Sequence, residues 1–274
     1  MMQNGELEID GRRWSFIEAG QGDLLLLFHG TLSGKETFAG QIDRLAEDRR
    51  VVAVDWPGHG GTEFDPAGWT VADLVGSVPR LIDSLGATTA TIVGLSQGGA
   101  IGMRAAICHP DRVEALITMS AGPDRPSPEV VAAMRDLGLL LANGDDQERR
   151  AVLESMQAKW YHAPGWVAAN PDRAAEEVEL MLSHPREGMP GATRIPTTYD
   201  SVEDRLSEIK CPTLIIWGEH DMRASWGERM AAAIPDSRLE ILKGAGHHVT
   251  LDAPQEVADA IAGFLADLRP LSKI

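Results

Sequence analysis

Short segments in which nearly every position is Val, Ile, Leu or Ala alternate along this chain with longer segments whose apolar residues recur every three or four positions. The short segments predict buried strands and the longer ones amphipathic helices, because side chains repeat with period two in a strand and 3.6 in a helix. The stretch ELEIDGRRWSFIE (6–18) reads as a hairpin turning at Asp10-Gly11. The pattern then predicts strand 23–30, helix 38–47, strand 50–55, helix 71–85, strand 89–95, helix 98–109 and strand 113–120. Strand 213–218, a short helix, strand 237–243 and helix 255–268 complete the series. Such alternation implies an α/β fold, a mostly parallel sheet with helices on both faces and the antiparallel hairpin at one edge.

The alternation breaks between 122 and 207. That stretch opens with GPDRPSP, carries only helical patterns (129–141, 147–161 and 172–183) and closes through SHPREGMPGATRIP. A helical cap insertion at 122–207 is therefore expected above a core domain formed by 1–121 and 208–274. The charged run NGDDQERR (143–150) is expected to be a solvated face.

Composition narrows what such a fold serves. With 274 residues, 43% hydrophobic and 24% charged, the chain can build a large core. The run LLLLF (24–28) is far too short to span a bilayer, and no charged segment with a cleavage site precedes it, so a soluble, cytoplasmic protein is expected. Cys108 and Cys211 lack CxxC spacing, which argues against a disulfide framework or a zinc site and predicts buried free thiols. A formal charge of −16 argues against nucleic acid and anionic membranes, leaving a small molecule as the expected partner.

The stretch GLSQGG (94–99) sets Ser96 among glycines between a predicted strand and a predicted helix. A sharp turn there forces the serine into a strained conformation, and Gly94, Gly98 and Gly99 let helix and strand approach closely. A serine nucleophile needs a base, and GAGHHV (244–249) places His247 in a loop after the last strand. The base needs an orienting acid, and WGEHD (217–221) places Asp221 just past the preceding strand. Asp124 and His248 are rivals for these two roles. FHGTL (28–32) also follows a strand, so its backbone N–H groups can face Ser96.

With these residues the blocks HG (29–30), DWPGHGGT (55–62), GLSQGGAIG (94–102), HPDRVEALI (109–117), CPTLIIWGEHD (211–221) and GAGHHVTLDAP (244–254) make the chain resemble the α/β-hydrolase superfamily. The spread of blocks is similar to the enol-lactonase and carboxylesterase branch, with Phe38 and Gln41 where that branch carries an aromatic and a glutamine. HGTLSGKETF lacks the proline of the longer loop found in carbon-carbon bond hydrolases, and Ser96 stands where haloalkane dehalogenases and epoxide hydrolases carry aspartate.

The resemblance and the chain order Ser, Asp, His favour Asp221 over Asp124, and the Gly-His pattern favours His247 over His248. The expected oxyanion donors are the backbone N–H groups of Gln97 and Thr31, with Leu32 as the alternative to Thr31. His29 and His59 are expected to bond loop backbone, and Glu219 and Asp252 to be solvated or loop-stabilising. Leu32, Met134, Trp160 and Tyr161 are candidates for substrate binding, and Leu137, Met156 and Met181 join them as positions that either face Ser96 or pack the insertion's own core. The expected activity is hydrolysis of a small ester or lactone through an acyl-enzyme on Ser96, without metal or organic cofactor. Carbon-carbon bond hydrolysis, cofactor-free perhydrolysis and a ligand receptor that retains the triad are the alternatives.

Overall fold

Asp10-Gly11 turns the chain between antiparallel strands β1 (Gln3–Ile9) and β2 (Arg12–Ala19) in a computed structural model that describes residues 2–268. Both turn residues have positive φ, 52° and 74°, which a two-residue turn matched to the strand twist requires. Strand β2 then pairs antiparallel with β4 (Arg50–Val54). Strand β4 lies parallel to β3 (Leu24–Phe28), which is followed across the sheet by β5 (Ala90–Leu95), β6 (Val113–Met119), β7 (Thr213–Gly218) and β8 (Ser237–Leu242), all parallel. Among the described residues the result is one eight-stranded sheet of order β1-β2-β4-β3-β5-β6-β7-β8.

The apolar runs are continuous because each central strand feeds two cores. Leu26, Phe28, Ile92 and Leu116 face a layer that includes α2 (Val71–Ser84), α3 (Gln97–Cys108) and α9 (Ser225–Ala233). Leu25, Leu27, Val93 and Ile117 face α1 (Ala39–Leu45) and α11 (Pro254–Leu268). Period-two alternation thus survives as a choice between two apolar faces, so no polar residue marks it in the sequence.

Between β6 and β7 the described chain is helical: α4 (Pro128–Asn143), α5 (Asp146–Met156), α6 (Trp166–Ala169), α7 (Pro171–Ser183) and α8 (Met189–Arg194). Ser127 caps α4 ahead of a proline, and Asp145 forms a capping box with Glu148 at the start of α5, so both helices begin where their side chains satisfy first-turn N–H groups. Helix α4 packs on α8 and α5 on α7. Their buried Leu137, Leu141, Leu153, Val178 and Met181 join the core on the α2 and α3 side of the sheet. A last short helix, α10 (Val249–Asp252), follows β8.

Three expectations are corrected. The helix expected over 147–161 is α-helical only to Met156, and Gln157–Tyr161 form a wider π turn in which His162 N–H reaches back to Gln157 O. In the run NGDDQERR, Arg149 is buried, its guanidinium donating to the Leu182 carbonyl at 3.1 Å, because an α5 side chain facing α7 can satisfy a helix-end acceptor there. Cys108, the last residue of α3, is exposed and Cys211 half-buried, so neither thiol is wholly enclosed. Among the described residues no helix is long and apolar enough to cross a membrane.

The approach of α3 to β3 is backbone against backbone: a Cβ on Gly98 would lie 2.0 Å from the Phe28 carbonyl oxygen. Gly98→Ala is therefore expected to destabilise the fold by about 1–3 kcal/mol. Gly263, exposed on α11 with nothing near its missing Cβ, should gain about 0.5–1 kcal/mol as alanine. Urea unfolding of the two variants checks this, and shifts of the same sign would refute the steric account.

Candidate active site

Strand β5 passes into α3 through one residue, Ser96, held at φ 50° and ψ −110°. A Cβ on Gly94 would lie 2.3 Å from the Gly98 carbonyl carbon, and one on Gly99 2.6 Å from Ala121 Cβ, so the turn closes only without those side chains. The hydroxyl stands at the carboxyl end of the sheet, beside the first-turn N–H groups of α3, which have no intrahelical acceptor.

The loop after β8 brings His247 to it. Its Nδ1–H donates to Asp221 Oδ2 at 2.7 Å, since a carboxylate can only accept, and this leaves Nε2 to accept from the Ser96 hydroxyl at 3.0 Å. Asp221 Oδ1 accepts the Arg223 N–H at 2.9 Å. Burial opposes ionisation of Asp221, but the hydrogen bond and charge of His247 and the Arg223 contact outweigh it and hold the carboxyl below its usual range. The rivals are placed elsewhere: Asp124 pairs with the Arg223 guanidinium, and His248 donates from Nδ1 to Glu177 at 2.5 Å. Glu219 and Asp252 both hold loop backbone, Glu219 accepting from Gly244 N–H and Asp252 from Gly246 and Ala163 N–H.

The loop after β3 faces Ser96 from the other side, with a Cβ on Gly30 coming 3.3 Å from Ser96 Cβ. Thr31 Oγ1 donates to Gln97 Oε1 at 2.9 Å, tying the two expected oxyanion residues together. The Leu32 N–H instead donates to His59 Nε2 at 3.2 Å, and its carbonyl accepts from His184 Nε2 at 2.9 Å. His29 accepts the Trp56 N–H at 3.0 Å, and its ring lies edge-on to His59, which lies edge-on to His184. A buried Lys35–Asp55 pair at 2.7 Å closes the loop's far end.

Of the candidates for substrate binding, Tyr161 is buried and stacks on His248 at 4.1 Å, with His247 at 6.3 Å. Trp160, its neighbour in the π turn, is 54% exposed. Leu32 is wholly buried at φ 65°, and Met134 is half-buried against the core. A cavity of about 750 Å³ lies elsewhere, between α2, α3 and the chain from Arg194 to Arg205. There the Arg104 guanidinium already donates to backbone carbonyls and Arg194 to Trp69 O.

His162 and Glu177 escaped the sequence analysis. Ligand-type atoms of His162, Glu177 and His248 lie within 4.8 Å of one another, all buried. The available signal was on α7, whose buried stripe runs Ala174, Glu177, Val178 and Met181, a carboxylate where periodicity calls for an apolar side chain.

The Alpha/beta hydrolase family profile matches residues 25–260. A relative from Caulobacter sp. (strain K31), named provisionally as carbamate hydrolase RutD, is 33% identical over 243 residues, which span 86% of this chain and 88% of the relative. A thermophilic esterase from Thermogutta terrifontis superposes with a TM-score of 0.88 at 24% identity, covering 97% of this chain and 98% of that one. The enol-lactonase from Burkholderia xenovorans LB400 gives 0.86 at 23%, covering 96% and 100%. At these identities the two structures speak for the fold alone.

The imidazoles around the β3 loop make stability depend on pH. Burial pushes His29 from 6.5 to about 4 and holds His59 and His184 below their usual range. The unfolded chain takes up these protons near pH 6.5 while the folded chain refuses them, so stability is fully present above that pH and falls as pH drops toward about 4. His29 alone is worth roughly 3 kcal/mol across that window. The depressed carboxyls act below it, and His162, whose proton is held more tightly in the fold, acts above it. Urea midpoints should fall from pH 7 to pH 4.5, and a constant midpoint would mean the three rings are not held neutral.

Proposed function

This chain belongs to the alpha/beta hydrolase family, and on that premise we propose that it is a serine hydrolase opening a small carboxylic ester or lactone by acyl transfer. The observation that carries the proposal is the unbroken line from Asp221 Oδ2 to His247 at 2.7 Å and on to Ser96 Oγ at 3.0 Å, ending on a strained elbow.

Ser96 Oγ attacks the carbonyl carbon as its proton passes to His247 Nε2. Negative charge on the carbonyl oxygen is met by the N–H groups of Gln97 and Thr31; the Leu32 N–H, engaged by His59, is not assigned to it. The tetrahedral adduct collapses as His247 returns the proton to the departing oxygen, leaving an ester on Ser96. Water, deprotonated by the same imidazole, attacks the acyl carbon, and the bond to Ser96 Oγ breaks as that oxygen takes the proton back from His247 and the acid leaves. Asp221 keeps His247 in the tautomer that frees Nε2 and stabilises the imidazolium formed at each step.

Residues 122–207 serve as a cap on the core formed by 1–121 and 208–274. Support comes from helices that pack on one another and meet the carboxyl end of the sheet at Tyr161 and His184. A carbamate presents a carbonyl to Ser96 in the same way, so the relative named for that bond adds carbamates to the ester and lactone assay.

A fluorophosphonate is expected to modify Ser96 and abolish hydrolysis of p-nitrophenyl esters, and Ser96→Ala to lower kcat about 10³-fold or more. Asp221→Asn should cost at least about 10²-fold in kcat with KM little changed, and Asp124→Asn less than about tenfold. Labelling of a different serine, or a larger loss at Asp124 than at Asp221, would overturn the assignment.

A further inference from the structure

A buried carboxylate on an apolar stripe is costly unless its charge is met. Glu177, its side chain 6% exposed, is met on both oxygens. Oε2 accepts from His162 Nε2 at 2.8 Å and from Gln157 Nε2 at 2.6 Å, and Oε1 accepts from His248 Nδ1 at 2.5 Å. The second nitrogen of His162 donates to Asp252 Oδ1 at 2.5 Å. Burial works against the charged form of this ring, but Asp252 and Glu177 prevail and raise its pKa above the usual value. Trp166 lies flat on the same ring at 3.8 Å.

These contacts converge on the neighbours of His247. Gly246 N–H donates to Asp252 Oδ2 at 2.6 Å, and the same oxygen accepts Ala163 N–H at 2.9 Å. A Cβ on Gly246 would stand 2.5 Å from the His162 carbonyl carbon, so the two backbones touch. His248 N–H donates to the Tyr161 carbonyl at 2.8 Å, beneath the stacked Tyr161 ring. On the sheet side the loop is held at Ala245, whose carbonyl accepts His220 N–H at 2.9 Å. His248 is thus bonded directly to the segment from Gln157 to Glu177, and Gly246 is linked to it through Asp252, which also accepts from His162 and Ala163. Asp221 fixes one nitrogen of the His247 ring, but the ring can still swing about that bond unless the backbone carrying it is fixed.

We propose that Glu177 is a positioning residue: with His162 and His248 it forms a buried clasp through which the helical segment holds the His247 loop in register with Ser96. The assignment of His247 as base rests on the hydrolase reading above. Two histidines and a glutamate are also a zinc-type ligand set, but the Glu177 oxygens lie 2.8 Å from His162 Nε2 and 2.5 Å from His248 Nδ1, hydrogen-bond separations shorter than two ligands around one zinc would take.

The test uses the full chain with Glu177→Gln, which keeps size and removes charge, and His162→Gln, which cuts the same line at its other end. Near-ultraviolet circular dichroism establishes that each variant is folded, and either one alone suffices. The expected result is a loss of about tenfold or more in kcat on p-nitrophenyl acetate and in the rate of fluorophosphonate labelling, with KM within about twofold. The double variant should lose no more than the worse single one, because both cut one line. Unchanged kcat in a folded variant overturns the clasp, as does a divalent cation found stoichiometric with wild type and absent from His162→Gln. A wild-type chain inert to fluorophosphonate overturns the hydrolase reading instead. The clasp is then judged by the His247 Nδ1–H proton resonance, which must shift in Glu177→Gln and whose constancy refutes it.

Discussion

The contact between the first turn of α3 and the end of β3 sets the backbone geometry at the carboxyl end of the central strands. With Gly98 backed onto the Phe28 carbonyl and Gly94 onto Gly98, the helix starts one residue after its strand, and that residue has nowhere to go but positive φ. Ser96 is not alone. Leu32 (φ 65°) follows β3 and Ser120 (φ 51°) follows β6, so apart from Asp10 in the hairpin turn the positive-φ non-glycine residues among the described residues lie past the ends of adjacent strands. Each such conformation costs on the order of 1–3 kcal/mol and persists only when its surroundings fix it. Here Ser96 N–H donates to Met119 O, Ser120 N–H to Ile216 O, and both polar groups of the Leu32 backbone are taken by imidazoles. The sheet absorbs the strain and presents it at the carboxyl ends of its central strands.

Two groups of buried histidines carry out opposite tasks there, and the number of carboxylates touching each ring decides which. His29 and His59 accept backbone N–H groups, which requires a bare nitrogen lone pair, and burial keeps them neutral. His184 likewise accepts from Gly60 N–H while donating to Leu32 O. His162 has a carboxylate on each nitrogen, so both must donate and the ring is charged. His247 lies between these cases, with a carboxylate on one side and a hydroxyl on the other.

The strands were legible because continuous apolar runs of five to seven residues bounded by turn residues have few other uses, and the observed spans of β3, β5 and β7 lie within or match the expected ones. Ser96, Asp221 and His247 were legible for a different reason: glycines and strand ends mark where backbone, rather than side chains, must come together. The π turn was not, because a period of 3.6 runs unbroken through 147–161 and the widening answers to partners distant in sequence, such as the Gln157 bond to Ala174 O. Nor was the role of His248. Beside His247 it reads as a rival base, and its partner Glu177 lies 71 positions away on a helix whose stripe marks a misplaced carboxylate without showing what it meets.

The helical segment touches the sheet's edge at two places that differ in kind. At His184 it bonds the Leu32 carbonyl and Gly60 N–H, next to Thr31, while at Glu177 it bonds His248 and, through Asp252, which His162 and the Ala163 N–H share, it reaches Gly246. The helix α7 runs from Pro171 to Ser183 and carries Glu177, and His184 follows directly on its end. One rigid element therefore bears on the loop facing Ser96 from β3 and on the loop facing it from β8. The two contacts lie less than two helical turns apart along the chain, so the loops on either side of the Ser96 hydroxyl are tied to one short stretch, Glu177 to His184.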